Sequence, residues 1–301
     1  MPIKLLILVC VLGGFITRSA LANLRVVTTT EDLASITKAI GGEFISVSSI
    51  AKGTQDPHYV EAKPSFLVLV SRADLVISIG LELESGWLPL LLRGARQPKL
   101  LPGEPGCLSV SEAIIPIEIR PQVDRSDGDI HPLGNPHFMA DPQRVILVAE
   151  LISKRLSELD PTQAKNFKQN LEGFKLKLLN KIAAWKQKMA PFKGIKVIGY
   201  HMTFNYLFKF FDFDVVGFLE PKPGISPTAQ HILKLIETAK IKNVKIIVIE
   251  NFFDPKPGVT LVEKTKAKLV IIPAYVGGDD SSQNYFDWMD TVVNNLEMNL
   301  R

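Results

Sequence analysis

The stretch DPTQAKNFKQNLEGFKLKLLNKIAAWKQKM, residues 160–189, decides the fold. Asp160 before Pro161 marks a helix start, because aspartate caps helix N-termini and proline suits the first helical position. Apolar residues then recur at spacings of three and four, namely Phe167, Leu171, Phe174, Leu178, Ile182, Trp185 and Met189. This period predicts one amphipathic helix of about 29 residues, or about 43 Å at 1.5 Å per residue. A helix of that length can run along a whole two-lobed molecule.

Strand-like and helix-like segments alternate on both sides of this helix. Leu24–Thr29 and Ala73–Gly80 are strand-like segments before it, and the series restarts at Ile195–Gly199. Such alternation predicts parallel sheets covered by helices. The predicted fold class is therefore α/β, with two lobes that each hold a mainly parallel sheet flanked by helices, joined by one long backbone helix. We expect an N-terminal lobe at 23–159, the linking helix at 160–190 and a C-terminal lobe at 191–301.

The part of the chain between residues 83 and 136 is less regular. Leu83–Leu92 and Leu108–Ile114 are interpreted as helical. The following stretch, Pro116–Pro136, contains four prolines and the acidic residues Asp124, Asp127 and Asp129. It predicts a long loop, and long loops in compact domains are often functional. For the residues before His131 the alternative is a plain surface loop.

A secretory signal peptide is predicted at residues 1–22. A basic residue precedes the apolar run Leu5–Ile16, and Ser19-Ala20-Leu21-Ala22 offers an A-x-A cleavage pattern, which makes Asn23 the expected mature start. The run is shorter than the about 20 apolar residues that span a bilayer. Cys10 lies inside this run and follows a valine, so a lipid anchor is not expected. The protein is therefore expected in the periplasm.

Composition and motifs exclude several classes of protein. The formal net charge is +4, and it falls by two when Lys4 and Arg18 leave with the signal peptide. The sequence shows no cluster of basic residues of the kind that binds nucleic acid. Cys107 remains as the single cysteine, so neither an intramolecular disulfide nor a thiolate metal site is expected. No further segment is apolar and long enough to span a membrane. The H-E-x-x-H, G-x-S-x-G and G-x-x-x-x-G-K-[ST] motifs are absent.

Three of the five histidines share one kind of position. His58 and His201 follow strand-like segments, and His137 lies in a loop before a helix that Asp141-Pro142 opens. Ligands of open α/β sheets bind beyond the carboxyl ends of the strands, so these side chains can meet between the lobes. Neutral imidazole suits zinc, and three imidazoles with a carboxylate or water make a tetrahedral site. The residues alone leave open a metal site and a set of structural histidines.

A fourth ligand is less clear from the residues. Asp279 and Asp280 follow a strand-like segment and are candidates, as is water, although Gly277-Gly278-Asp279-Asp280 also fits an exposed turn. His131 either delivers metal together with Asp127 and Asp129 or has no role. His231 is interpreted as structural. Glu220 and Glu250 follow strands and are expected to hydrogen-bond the amides of loops, although entry of their side chains into the cleft is the alternative.

Several motifs resemble the periplasmic solute-binding proteins of zinc and manganese ABC transporters (cluster A-I, solute-binding protein family 9). The matching stretches cover essentially the whole mature chain and are Asp56-Pro57-His58-Tyr59-Val60-Glu61, Gly134-Asn135-Pro136-His137 with Asp141-Pro142, Tyr200-His201, Glu220-Pro221-Lys222-Pro223-Gly224-Ile225 and Tyr275-Val276-Gly277-Gly278. The resemblance implies two lobes with a rigid helix backbone and a metal ion between the lobes. It also implies delivery of that ion to an ABC membrane permease driven by a cytoplasmic ATPase.

The resemblance also implies the ligands His58, His137 and His201. Manganese-type members tend to place a carboxylate where this chain has His201, and imidazole is the softer ligand, so Zn²⁺ is expected rather than Mn²⁺. Many members carry an aspartate ligand at about Ala274, which this chain lacks, and the common His-rich loop is absent as well.

The sequence therefore predicts a monomeric periplasmic carrier that binds one divalent ion, most readily zinc, for import, and not an enzyme. Two alternatives remain at this stage. One is an exported zinc-dependent hydrolase, because a metal on three histidines with an open position can activate water. The other is a metal-storing chaperone or adhesin that needs no permease.

Overall fold

Two parallel four-stranded sheets form the framework of the computed structural model, which describes residues 23–120, 128 and 131–301. The first sheet has the strand order β2-β1-β3-β4 and the second β6-β5-β7-β8. The strands in chain order are β1 Leu24–Thr28, β2 Ile45–Ser49, β3 Leu75–Ser78, β4 Cys107–Ser109, β5 Lys196–Gly199, β6 Asp214–Phe218, β7 Ile246–Glu250 and β8 Lys268–Ile272. The predicted α/β class with two mainly parallel sheets is confirmed.

Helices flank both sheets. In chain order they are α1 Glu31–Gly41, α2 Pro64–Ser71, α3 Leu88–Gly94, α4 Pro142–Leu159, α5 Ala164–Met189, α6 Asn205–Phe210, α7 Ala229–Lys242, α8 Lys256–Glu263 and α9 Tyr285–Leu300. Thr30 caps α1 and Asp141 caps α4, each accepting a hydrogen bond from a backbone N–H of the first turn. No helix in the described ranges is long and apolar enough to cross a membrane.

The predicted long helix is present as α5. It contains 26 residues, and a short 3-10 turn at Pro161–Gln163 precedes it. Its buried residues are the seven of the predicted stripe. They belong to one apolar core that also contains residues of both sheets, for example Val26 of β1 and Val248 of β7. The stripe therefore joins the two halves of the molecule through shared packing.

Two helices predicted in the N-terminal half are wrong in part. Leu108–Ile114 is the end of β4 followed by a 3-10 turn at Val110–Ala113, because a three-residue edge strand is too short to show a period. Helix α3 begins only at Leu88. Residues 83–87 form turns instead, and Trp87, directly before the helix, has backbone angles of φ −142° and ψ −39°, outside the helical range. The predicted signal peptide and Asp124, Asp127 and Asp129 lie outside the described residues.

Direct hydrogen bonds tie the two halves together beside the sheets. The buried Asp32 carboxylate, at the start of α1, accepts a hydrogen bond of 2.7 Å from the amide of Val276. The Tyr285 hydroxyl, at the start of α9, donates to the carbonyl of Met139 at 3.1 Å. These contacts fix how the carboxyl ends of the two sheets face each other.

Candidate metal centre

The three predicted histidines converge between the two sheets. Their ring centroids are 5.2 Å apart for His137 and His201, 5.3 Å for His58 and His137, and 5.5 Å for His58 and His201. One nitrogen from each ring lies within 4.8 Å of the others. His137 and His201 are buried, and only 8% of the His58 side chain is exposed. Three imidazoles from three separate chain segments thus enclose one small volume.

The loop after β2 holds His58 in place through Asp56. The Asp56 carboxylate accepts hydrogen bonds from the His58 amide at 3.0 Å and from His58 Nδ1 at 2.6 Å. Between them, the carbonyl of Pro57 accepts a hydrogen bond of 2.9 Å from the buried indole of Trp87. Burial alone would raise the pKa of Asp56, but the hydrogen bonds from His58 outweigh it and leave this pKa below its usual value. Asp56 therefore stays ionised and fixes the His58 ring.

The turn before α4 positions His137 through Gly134 and Asn135. Gly134 has φ 115°, and a Cβ there would lie 2.6 Å from the Pro116 side chain. The Asn135 carboxamide accepts from the His137 amide at 2.9 Å and donates to the carbonyl of Met202 at 3.0 Å. Because Met202 follows His201, the Asn135 side chain links the segments that carry His137 and His201 and so sets the distance between these two candidate ligands.

His201 leaves the end of β5 and is fixed by a carboxylate that follows β6. Its Nδ1 donates to Oε2 of Glu220 at 2.7 Å, and both side chains are almost completely buried. The same Oε2 accepts from the amide of Gly224 at 3.2 Å. Glu220 was expected to bind loop amides rather than to enter the cleft. The structure adds its contact with His201, which sequence spacing does not reveal.

The nitrogens that point into the cluster lack partners. His137 Nε2 and His201 Nε2 are buried and make no hydrogen bond. In His58 and His201 the Nδ1 proton is donated to a carboxylate, so the lone pair lies on Nε2. A histidine whose outer N–H binds a carboxylate is the usual arrangement for a metal ligand. Buried polar atoms are normally hydrogen-bonded, and two unpaired ring nitrogens in one group have the chemistry to bind a cation.

Burial keeps the imidazoles of His137 and His131 neutral. It holds the pKa of His137 well below its usual value, and the neighbouring His201 and His58 lower this pKa further. Burial, with His58 and His201 nearby, also lowers the pKa of His131 to about 4. A neutral imidazole is the form that binds metal, so the site is ready for a cation at neutral pH.

His131 is the residue whose position sequence reasoning did not resolve. Its exposed fraction is 7%, and its Nε2 lies 3.1 Å from His58 Nε2. It is thus next to the candidate ligands, whereas its suggested partners Asp127 and Asp129 are outside the described residues. Its nearness to His137 in the sequence was the only available signal.

No carboxylate joins the three-histidine group among residues 23–120, 128 and 131–301. Asp279 and Asp280 are exposed, and the Asp279 carboxylate accepts hydrogen bonds from Ser281 and Ser282 within its own turn. Ala274, at the position of the family's aspartate, is buried. The Tyr275 hydroxyl lies 3.4 Å from His137 Nδ1 instead. A turn carboxylate is therefore not positioned as the fourth ligand.

The remaining predicted residues do not belong to the three-histidine group. His231 lies on α7, and its Nε2 donates to the carbonyl of Phe218 at 2.9 Å, as a structural residue does. Glu250 ends β7, and burial raises its pKa to about 8. A cavity of about 210 Å³ borders His58, His201 and Glu220.

A family model and known proteins match most of the chain. The model for the periplasmic component A of a zinc-uptake complex matches residues 26–299. A metal ABC transporter substrate-binding lipoprotein of Streptococcus cristatus is 29% identical over 264 residues, which is 86% of this chain and 80% of that protein. A manganese ABC transporter substrate-binding lipoprotein of Streptococcus gordonii is 28% identical over 264 residues, with the same coverage of 86% and 80%.

Solved structures share the fold. A crystal structure of ZnuA has a TM-score of 0.78 at 23% identity and covers 93% of this chain and 100% of its own. A manganese-bound periplasmic metal-binding protein from Candidatus Liberibacter asiaticus has a TM-score of 0.77 at 21% identity, with 93% and 100% coverage. Both likenesses extend over the two sheets and the helices around them.

Proposed function

Because the chain belongs to the family of periplasmic zinc-uptake complex components, we propose that it captures one zinc ion with His58, His137 and His201 and delivers it for import. It is a metal-binding substrate-binding protein of an ABC transporter and not an enzyme. That role implies a partner permease and its ATPase. In this proposal the lobes 23–159 and 191–301 supply the ligands from both sides, the helix 160–190 joins them, and the carrier is a monomer.

One observation carries the proposal. His137 Nε2 and His201 Nε2 are buried without a hydrogen-bond partner, and they come from different halves of the chain. Leaving a buried polar atom unpaired costs about 1–3 kcal/mol. A cation bound between the rings removes this cost at both atoms and explains why the fold keeps them unpaired.

Zinc is favoured over manganese by the kind of ligand present. Some relatives are named for manganese. Imidazole suits zinc, however, whereas carboxylate and carbonyl oxygens suit manganese. The described part of this chain brings three imidazoles and no carboxylate to the group. The carboxylates of Asp56 and Glu220 contact the rings from outside and balance the charge of the ion there.

Export by a cleavable signal peptide at residues 1–22 completes the proposal. The streptococcal relatives are named as lipoproteins, whereas Cys10 of this chain lies inside the apolar run of its leader. The intact mass of the exported protein tests this point. A mass that begins at Asn23 without lipid agrees with the proposal, and a lipid attached to cysteine refutes it.

Native mass spectrometry with metal competition tests the metal and the ligands together. The samples are the mature protein, His201→Ala and the control His231→Ala, which removes a histidine that is not part of the three-histidine group. We expect one zinc per chain, preferred over manganese, with binding weakened in His201→Ala and unchanged in the control. Preference for manganese, or full zinc affinity in His201→Ala, would refute the zinc site.

A further inference from the structure

His131 and His58 face each other through their Nε2 atoms, and the tautomer of each ring decides what this contact is. The Nε2 atoms are 3.1 Å apart and the ring centroids 5.2 Å apart. A neutral imidazole has one N–H donor and one lone pair, and the outer partner of each ring decides where the proton lies. The partners on both rings are known from the structure.

Each ring uses its proton on the outer side. The Asp56 carboxylate only accepts, so His58 carries its proton on Nδ1 and a lone pair on Nε2. The His131 ring donates a hydrogen bond to the backbone of Leu81. Because its Nε2 faces His58, the donor is Nδ1. Two lone pairs thus oppose each other at 3.1 Å, and a cation that both nitrogens bind resolves this contact.

The distance between the two nitrogens fits a shared metal ion. Two imidazole nitrogens at 2.0–2.1 Å from tetrahedral zinc lie about 3.3 Å apart. The observed 3.1 Å between His58 and His131 is close to this edge of a tetrahedron. His58 also belongs to the group that contains His137 and His201. His131 is not a member of that group of atoms within 4.8 Å of one another, so its ring has to shift toward His137 and His201 to share an ion bound at His58.

We propose that His131 is the fourth metal ligand, so that zinc is held by four imidazoles, His58, His131, His137 and His201. This inference rests on the proposed function and specifies its coordination. It also explains why the family's aspartate position is Ala274 in this chain: the fourth bond comes from the opposite half of the molecule. Leu81, with its left-handed backbone, presents the carbonyl that orients His131.

Four neutral imidazoles define the class of ion that the site accepts. The set contains no oxygen ligand, which disfavours manganese, magnesium and calcium. It suits tetrahedral zinc, and because all four ligands are neutral they do not neutralise the charge of the ion. The carboxylates of Asp56 and Glu220 accept hydrogen bonds from the Nδ1 atoms of two ligand rings, and they compensate part of this charge.

Zinc K-edge X-ray absorption on the zinc-loaded mature protein tests the coordination directly. We expect the wild-type spectrum to fit four imidazole nitrogens and no oxygen. In His131→Gln one imidazole is lost and an oxygen takes its place. The dissociation constant for zinc rises at least about tenfold, the smallest effect expected even for an outer partner of a ligand. His231→Gln serves as the control and keeps four imidazoles and the wild-type affinity.

The outcomes separate this inference from the proposed function. A wild-type protein that binds one zinc with three imidazoles and one oxygen overturns the role of His131 and leaves the zinc carrier intact. A wild-type protein that binds no zinc overturns both. If His131→Gln does not fold, the wild-type spectrum alone decides between four and three imidazoles.

Discussion

Glu220 offers a sharp test of how the site works, because it is expected to act on the metal only through His201. Its Oε2 accepts the Nδ1 proton of His201 at 2.7 Å, and 7% of its side chain is exposed. The substitution Glu220→Gln keeps the size and removes the charge. Loss of an outer partner of a metal ligand typically lowers affinity 10–100-fold, which corresponds to about 1.4–2.8 kcal/mol. We therefore expect zinc affinity to fall by that factor.

Competition titration against a zinc chelator at pH 7 measures this loss. Glu61→Gln is the matched control, because 81% of the Glu61 side chain is exposed and its carboxylate forms an ion pair with Lys63 at 3.8 Å. A double variant with His201→Ala sharpens the test, since the two changes should not add if Glu220 acts through His201. Unchanged affinity in Glu220→Gln, or fully additive losses, would show that the hydrogen bond does not orient a ligand.

Two further predictions concern the stability of the metal-free protein. Burial raises the pKa of Glu250 to about 8, so the folded state keeps a proton that the unfolded state loses above about pH 4.3. Urea unfolding should therefore show that the free energy of unfolding falls from pH 5 to pH 8, and that it falls less in Glu250→Gln. Equal dependence of this free energy on pH in the two proteins would contradict the buried neutral carboxyl. Leu178 on α5 is completely buried and Leu179 is 51% exposed. Leu178→Ala should therefore lower the free energy of unfolding by about 2–5 kcal/mol, and Leu179→Ala should lower it by less than about 0.5 kcal/mol. Similar losses in the two variants would refute the assignment of Leu178 to the buried face of the helix.

Local periodicity explains which parts of the fold could be predicted. The stripe of α5 is visible in the sequence because each buried residue repeats within one helix, and its seven members are buried as expected. The caps at Thr30 and Asp141 are equally local. The strand β4 shows the limit, since three residues at a sheet edge carry no period and gain their structure from pairing with β3.

The candidate site was predicted in part for a similar reason. His58 and His201 follow strands, and the carboxyl ends of parallel strands meet at one edge, so their approach to His137 follows from topology. The position of His131 follows from no such rule. It depends on a backbone turn at Leu81, which lies fifty residues earlier in the sequence. The contact of Glu220 with His201 likewise exists only after β5 and β6 have paired.

The movement that metal binding requires is small, and the tertiary contacts agree with this. Three ring nitrogens lie within 4.8 Å of one another without an ion, and on tetrahedral zinc they would be about 3.3 Å apart. The contraction along any edge is therefore at most about 1.5 Å, which side-chain rotation supplies. Asp32 holds Val276, and a Cβ on Gly53 would lie 2.0 Å from the carbonyl of Val276. Because these contacts already join the halves closely beside the site, we expect the ion to be captured by rearrangement of the imidazoles rather than by closure of two distant lobes.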